Sequence, residues 1–263
     1  MRRFALPLGL LLVSGTGALS ERAQDPPAQV PTCQIFRASG PVTVDGKADD
    51  PAWQRAEPVD FLFPWSRIGE GDRAQSTVAR MLWDDDNLYI IYVCDDPYLD
   101  SEVTEHDGPV YEEDAVEIFA TPNSDDLSAY FGYEMNITPA LLDYIAFEAG
   151  EHSTKVIQFP WESEGVQLAT TYDGTLNDHS DIDRGWILEI AIPFENFRHL
   201  GGRIPPKVGD MWRLNLNRTK GDKGRFSQWS DTHAEKASFH HSHYFGKAYF
   251  STEPVGSAEP VGK

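Results

Sequence analysis

The sequence predicts an all-β protein, an antiparallel β-sandwich of jelly-roll type with short helical turns. Many short runs of β-branched and aromatic residues alternate with polar residues at a period of two. Clusters of Asp, Asn, Gly and Pro separate these runs, and such residues form turns. Helical periodicity is confined to two single turns. This combination favours a sandwich over alternating β and α units.

The predicted elements follow in chain order. Val42–Val44 is predicted as an opening strand that ends at Asp45-Gly46. A hairpin is predicted where Thr77–Trp83 and Leu88–Cys94 flank the turn-forming run Asp84-Asp85-Asp86-Asn87. The other predicted strands are Ala115–Thr121, Tyr130–Ile137, Asp143–Phe147, Val166–Tyr172, Trp186–Ile192, Met211–Asn217 and Phe245–Ser251. The helical turns are predicted at Asp50–Arg55 and Phe194–Leu200.

The two ends of the chain differ from its middle. Arg2 and Arg3 precede the short apolar stretch Phe4–Val13, and Ala18-Leu19-Ser20 resembles a cleavage site. We therefore predict a signal peptide over residues 1–20 and a secreted or periplasmic protein. A flexible, proline-containing lead-in over residues 21–35, a β-sandwich domain over residues 36–252 and a C-terminal tail over residues 253–263 complete the predicted organisation.

Charge and composition exclude several classes of protein. The 263 residues include 42 acidic and 22 basic side chains, a formal net charge of −20. Such a chain repels phosphates, which argues against nucleic acid or an anionic membrane surface as a partner. No apolar run reaches the roughly 18 residues of a membrane span. A hydrophobic content of 40% and an aromatic content of 12% exclude disorder for most of the chain.

Two cysteines, Cys33 and Cys94, allow two interpretations. In an exported protein they can form one disulfide between the start of the domain and a strand. They can equally be two separate buried thiols, since the sequence does not supply the geometry.

Three sets of residues are candidate metal or cofactor ligands, and each allows more than one interpretation. Asp84-Asp85-Asp86-Asn87 and Asp95-Asp96 offer oxygen ligands suited to calcium, or they form a solvated acidic surface. His240-His241-Ser242-His243, with His233 nearby, either binds a metal or faces solvent. A haem-binding sandwich is a further hypothesis, with Met81, Met135 or Met211 and histidines as ligands. The phosphate-binding, zinc-protease and serine-hydrolase motifs are absent from the sequence.

Two glutamates on consecutive predicted strands point to a polar surface. Glu117 alternates with Val116 and Ile118, so it faces away from them. The same alternation puts Glu134 and Asn136 on one face. Such a patch is suited to sugar hydroxyls or to the acid pair of a glycosidase, or it is simply an exposed polar face.

Two aromatic residues lie in polar, loop-like stretches. Tyr111 is in Pro109-Val110-Tyr111-Glu112-Glu113, and Phe239 is in Ala237-Ser238-Phe239-His240-His241. Flat rings of this kind stack on the C–H face of a sugar, although single exposed hydrophobic residues are common.

An ordered set of motifs runs from Val42 to Phe250. They are Val44-Asp45-Gly46, Asp49-Asp50-Pro51-Ala52-Trp53, Leu82-Trp83-Asp84-Asp85-Asp86-Asn87-Leu88-Tyr89-Ile90, Tyr111-Glu112-Glu113-Asp114-Ala115-Val116-Glu117-Ile118-Phe119, Gly185-Trp186, Glu189-Ile190-Ala191-Ile192-Pro193-Phe194, Trp229-Ser230-Asp231 and Phe245-Gly246. In order and spacing these resemble the family 9 carbohydrate-binding modules, which are found attached to xylanases.

The resemblance implies a jelly-roll sandwich, often with structural calcium, in which two aromatic rings hold the terminal sugar of a glycan. Tyr111 and Phe239 match the two rings, Glu117 a hydroxyl-binding acid, and Asn136 a sugar-binding amide. Glu134 occupies the position of a sugar-binding Arg, and Arg218 and Lys236 are candidate replacement donors.

The function implied is that of a secreted, non-catalytic carbohydrate-binding domain that holds a glycan sugar between aromatic rings. Four alternatives remain open: a protein associated with glycoside hydrolysis, a weak hydrolase acting through Glu117 and Glu134, the haem-binding domain, and a surface-interaction protein with a decayed pocket.

Overall fold

The structure is a computed structural model that describes residues 29–65, 75–149, 155–220 and 226–252, with Lys220 described by its backbone alone. The strands within these ranges are β1 (Thr32–Arg37), β2 (Pro58–Asp60), β3 (Thr77–Trp83), β4 (Asn87–Asp95), β5 (Asp114–Thr121), β6 (Ala129–Asn136), β7 (Leu141–Glu148), β8 (Val156–Pro160), β9 (Gln167–Asp173), β10 (Gly185–Pro193), β11 (Met211–Lys220), β12 (Ser227–Gln228) and β13 (Gly246–Ser251). Short 3₁₀ helices cover Pro51–Arg55, Val110–Glu112, Phe194–Leu200 and Ser242–Tyr244. The predicted all-β class is confirmed.

The strands form one curled sheet in the order β8-β7-β6-β5-β11-β13-β1-β3-β4-β10-β9, with β12 paired to β11 and β2 to β3. Most neighbours are antiparallel, as predicted. The exception is β1, which pairs in parallel with both β13 and β3. This strand therefore joins the two halves of the sheet.

The main core lies between the two halves, which face each other as the layers of a sandwich. Alternate residues of each strand point inward, as in Val116, Ile118 and Ala120 of β5 and Leu88, Ile90 and Tyr92 of β4. The hydroxyl of Tyr92 donates to the carbonyl of Glu117 at 2.8 Å, across the two layers.

The outer faces of both layers are covered by chain segments rather than left bare. Trp53, from the 3₁₀ helix Pro51–Arg55, packs with Leu82, Tyr89 and Ile91 on one outer face. On the other, Phe239 and Phe245 join Phe119, Tyr130 and Tyr144 in a smaller cluster. The second face carries the site described below.

Nine of the ten predicted strands and both helical turns are present, with ends that differ by a few residues. The predicted opening strand Val42–Val44 is wrong. Backbone donors there bond to carboxylates instead of a neighbouring strand: Thr43 N–H donates to Asp50 at 2.7 Å, and Asp45 N–H to Glu189 at 2.9 Å. The sequence analysis also missed β1, β2, β8 and β12.

The start of the domain needs a correction. Residues 32–35 belong to β1, so the predicted lead-in over residues 21–35 ends earlier than expected. The predicted signal peptide over residues 1–20 and tail over residues 253–263 lie outside the described residues. Over the part of the chain that is described, no helix is long and apolar enough to cross a membrane.

Cys33 and Cys94 are both buried free thiols, so the structure contains no disulfide between them. Burial raises the pKa of both thiols, that of Cys94 to about 12. A thiol held protonated in this way is a poor nucleophile, and both cysteines act as small core residues.

Candidate functional site

A cleft of about 320 Å³ lies on the outer face of β5 and β6, beside the 226–240 segment. Its lining comes from five separate stretches of the chain. The lining residues are Tyr111, Glu117, Glu134, Gln158, Thr219, Phe226, Ala237, Ser238, Phe239 and His240. Four of the predicted site residues, Tyr111, Glu117, Glu134 and Phe239, are therefore brought together here.

Tyr111 projects from the 3₁₀ helix Val110–Glu112 at one wall of the cleft. The neighbouring Val110 is completely buried and anchors the helix, while the Tyr111 side chain remains 48% exposed. Its carbonyl accepts a hydrogen bond from the Thr219 hydroxyl at 3.3 Å. An aromatic ring half open to solvent on an anchored backbone is suited to stacking against a ligand.

Phe239 contributes a more enclosed ring. It is 6% exposed and packs against Trp65 and Phe226, with ring centroids 5.7 Å and 5.8 Å away. The indole of Trp65 donates to the carbonyl of Ala234 at 2.7 Å, which holds this aromatic group against the segment that carries Phe239. Phe239 is therefore a buried ring at the wall of the cleft, and the loop-like sequence around it did not predict this burial.

Glu117 and Glu134 are direct cross-strand partners in the β5–β6 pair. The predicted alternation is confirmed: Val116 and Ile118 lie in the main core, and the two glutamates lie on the opposite face. The hydroxyl of Tyr144 donates to Glu134 Oε1 at 2.6 Å, and Asn217 Nδ2 donates to Glu117 Oε2 at 3.3 Å.

The electrostatics of this pair favour the protonated form of the carboxyls. Burial raises the pKa of Glu134 to about 7. Burial and, secondarily, the charge of Glu134 raise the pKa of Glu117 well above its usual value. Two carboxyls that cannot both ionise offer one O–H donor beside several acceptor oxygens. That mixed donor–acceptor character matches a hydroxyl group.

His240 forms part of the floor as a neutral imidazole. It stacks on Phe119 with ring centroids 5.0 Å apart, and its Nδ1 hydrogen-bonds with the Tyr130 hydroxyl at 2.6 Å. Burial lowers its pKa to about 4. Within the described ranges, the histidines of residues 233–243 do not form a metal-binding group. Met81 and Met135, which were considered as haem ligands, lie in the main core.

Three predicted site residues do not line the cleft. Asn136 is buried, and its amide donates to the carbonyl of Val103 and to Glu113. Arg218 points to the other face of β11, where its guanidinium pairs with Asp96 at 2.6 Å. Lys236 is exposed next to the lining residue Ala237. Of the described residues, those that line the cleft include no Lys or Arg.

The acidic groups considered as calcium ligands make several contacts within the protein. Asp84 accepts hydrogen bonds from two backbone N–H groups and from Tyr89, and Asp85 pairs with Arg37. Asp96 accepts from Arg218 and from Gln75. These contacts leave structural calcium at the acidic groups a prediction.

The sequence analysis missed several lining residues, including Gln158, Thr219 and Phe226. Thr219 had a usable signal, because it follows Asn217 by two positions and shares its face of β11. Gln158 had no such signal, because the strand that carries it, β8, was not predicted.

The fold and the site together define a class: a β-sandwich protein with an open, aromatic and acidic cleft on one outer face. The model of the carbohydrate family 9 binding domain-like family matches residues 44–252, and the chain belongs to that family. It is therefore a carbohydrate-binding domain, and modules of this family bind rather than catalyse.

Relatives and solved structures agree with this assignment. The chain is 28% identical over 230 residues to the exoglucanase XynX of Acetivibrio thermocellus, covering 88% of this chain and 18% of that protein. It is 23% identical over 192 residues to the endo-1,4-beta-xylanase A of Thermotoga neapolitana, covering 73% of this chain and 16% of that protein. The chain thus spans less than a fifth of the length of these relatives.

Two solved structures share the fold. A putative carbohydrate-binding protein from Bacteroides uniformis superimposes with a TM-score of 0.65 at 18% identity, covering 85% of this chain and all of that one. A family 9 carbohydrate-binding module from Caldicellulosiruptor kristjanssonii, solved with cellotriose, gives a TM-score of 0.55 at 16% identity, covering 88% of this chain and all of that one.

Proposed function

We propose that this chain is an exported, non-catalytic module that binds a glycan sugar in the outer-face cleft. The observation that carries the proposal is the convergence of Tyr111, Phe239, Glu117 and Glu134 on one open cleft. The exposed ring of Tyr111 and the small accessible part of Phe239 supply apolar contact to a pyranose, and the acid pair supplies hydrogen bonds to its hydroxyls. A volume of about 320 Å³ suits a ligand of one or two sugar rings.

The likeness to fold neighbours guides the choice of ligand. Modules from Caldicellulosiruptor kristjanssonii with this fold were solved with cellotriose and with glucose, and relatives in sequence are named xylanases and an exoglucanase. We therefore propose plant cell-wall β-glucans or xylans as the ligand class. The small contact area implies an affinity on the order of micromolar to millimolar.

Export is the second part of the proposal. It rests on the basic, apolar and small-residue pattern of residues 1–20 and on the occurrence of such modules in polysaccharide-degrading enzymes.

Calorimetric titration with cellotriose, glucose and xylotriose tests the proposal. We expect Tyr111→Ala to weaken binding by about fivefold to tenfold, the scale of one lost aromatic contact. Tyr172→Ala is the matched control, because Tyr172 is 50% exposed on β9 and does not line the cleft. Phe239→Leu keeps an apolar side chain against Trp65 and should weaken binding less than Tyr111→Ala does.

Two results would contradict the proposal. One is wild-type affinity in Tyr111→Ala, which would place the sugar elsewhere; the other is the absence of binding to all three sugars and to a wider glycan array. Hydrolysis of a chromogenic glycoside that disappears in Glu117→Gln would instead favour an enzyme.

A further inference from the structure

Four side chains with metal-binding atoms meet at a place that does not line the sugar cleft. His106 Nε2 lies 2.7 Å from Glu162 Oε2, 3.6 Å from Asp107 Oδ1 and 3.8 Å from Asp143 Oδ1. One ligand atom from each of the four residues lies within 4.8 Å of the other three. An imidazole surrounded by three carboxylates is a set of atoms that binds divalent cations.

Asp143 provides a second, independent observation that points to a ligand at this cluster. The residue is 2% exposed, and its Oδ2 accepts hydrogen bonds from the backbone and the hydroxyl of Ser163. Its Oδ1 is buried and has no hydrogen-bond partner among the described residues, while it faces the imidazole of His106. A buried carboxylate oxygen left unpaired is costly, and a bound cation removes that cost.

Three separate segments of the chain deliver these ligands. His106 and Asp107 lie on a turn whose Asp107 N–H donates to the carbonyl of Leu141 at 2.9 Å. Asp143 lies in β7, and Glu162 follows β8. Asp143 is fixed within the sheet, whereas the other three side chains are about half exposed or more and can adjust around it.

The spacing fits a small ion with nitrogen and oxygen ligands. Bonds of about 2.0–2.1 Å to a tetrahedral zinc ion put neighbouring ligand atoms roughly 3.3 Å apart. The His106 distances of 2.7–3.8 Å bracket that value. Calcium instead takes six to eight oxygen ligands, and an imidazole does not suit it. We propose that His106, Asp107, Asp143 and Glu162 form a structural zinc site that links the turn, β7 and the segment after β8.

Zinc binding by the full chain tests this site. After dialysis against EDTA, calorimetric titration with ZnCl₂ should show one zinc ion per chain, and added zinc should raise the Tm. We expect His106→Gln and Glu162→Gln to weaken zinc binding by roughly tenfold or more. Both side chains are substantially exposed, so these variants should fold. Asp143→Asn should have the same effect on zinc affinity.

His179→Gln is the matched control, because His179 is a comparably exposed histidine that pairs with Asp100 outside this cluster. It should bind zinc as the wild type does. Three results would overturn the proposal: no stoichiometric zinc binding, wild-type zinc affinity in both His106→Gln and Glu162→Gln, or calcium binding of equal strength that persists in His106→Gln.

Discussion

At the scale of single residues, the acid pair of the cleft links stability to pH. Burial raises the pKa of Glu134 to about 7, so the folded protein binds more protons than the unfolded chain between about pH 4.5 and pH 7. The contribution of Glu134 to the free energy of unfolding therefore decreases as pH rises through this window, whereas that of His240, whose pKa burial lowers to about 4, increases up to about pH 6.5.

Glu134→Gln tests this linkage. The amide retains an acceptor for Tyr144 but cannot ionise, so stability should fall less from pH 5 to pH 8 than in the wild type. The difference should be on the order of 2 kcal/mol. Urea denaturation at both pH values measures it. The exposed Glu102→Gln should retain the wild-type pH profile, and a parallel profile for Glu134→Gln would show that Glu134 is ionised at neutral pH.

Arg218 forms a buried ion pair that stabilises the fold, whereas the sequence analysis expected it to bind sugar. Its side chain is 2% exposed and pairs with a fully buried Asp96. Arg218→Ala leaves that carboxylate buried without its cation, and we expect a loss of about 3–5 kcal/mol in chemical denaturation. Arg184→Ala, which breaks the exposed Arg184–Asp173 pair, should cost less than about 1 kcal/mol. Equal losses in the two variants would argue against this role.

Strand alternation made part of the candidate site predictable. Alternation and register place Glu117 opposite Glu134. The same logic puts Asn136 on that face, yet a turn brings Val103 and Glu113 within reach and removes its amide from the cleft. Arg218 was expected near the site because it lies close to the family motifs, but it follows Asn217, and neighbours on a strand point to opposite faces.

At the scale of elements, β6 supports the cleft through a close approach of two strands. Gly132 lies opposite Tyr144, and an added Cβ would come within 2.4 Å of the Tyr144 ring. Gly132→Ala should displace the tyrosine whose hydroxyl bonds to Glu134. We expect a loss of about 1–3 kcal/mol in stability together with weaker sugar binding.

Gly40→Ala is the matched control for this prediction, because an added Cβ there meets no atom within 4 Å. It should change stability by less than about 0.5 kcal/mol. Wild-type sugar binding in Gly132→Ala would separate the Tyr144–Glu134 contact from the function of the cleft.

Three of the four strands that the sequence analysis missed, β2, β8 and β12, have features that hide a sequence pattern. β2 and β12 have three and two residues, too few for alternation to be visible. β8 is an edge strand whose Ile157 and Phe159 are 65% and 60% exposed, so hydrophobicity there does not mark a buried face. Val42–Val44 had the composition of a strand, but the carboxylates of Asp50 and Glu189 accept hydrogen bonds from the backbone N–H groups of Thr43 and Asp45. Glu189 lies 144 residues from Asp45, so the local sequence gives no signal of that contact.

At the scale of the whole molecule, the two outer faces of the sandwich differ in how completely they are covered. Trp53 seals one face, and its indole donates to Glu189 at 2.8 Å while Glu189 also accepts from the backbone of Gly46 at 2.9 Å. The segment that covers the other face leaves a gap beside Phe239. Glu117 and Glu134 are buried beside that gap on paired strands, so the sheet sets the positions of their backbones.

The sheet as a whole depends on β1, which links its halves. β1 supplies the buried side chains of Cys33, Ile35 and Phe36, and it is the parallel partner of both β13 and β3. Without it, two strands lose backbone partners at once and the main core loses one side of a layer. A chain that begins at residue 29 should unfold cooperatively in urea, whereas one that begins at residue 39 should lack native near-UV circular dichroism. Both lack the same leading residues, so the comparison isolates β1. Cooperative unfolding of the shorter chain with an unchanged midpoint would mean that β13 and β3 hold the halves together without it.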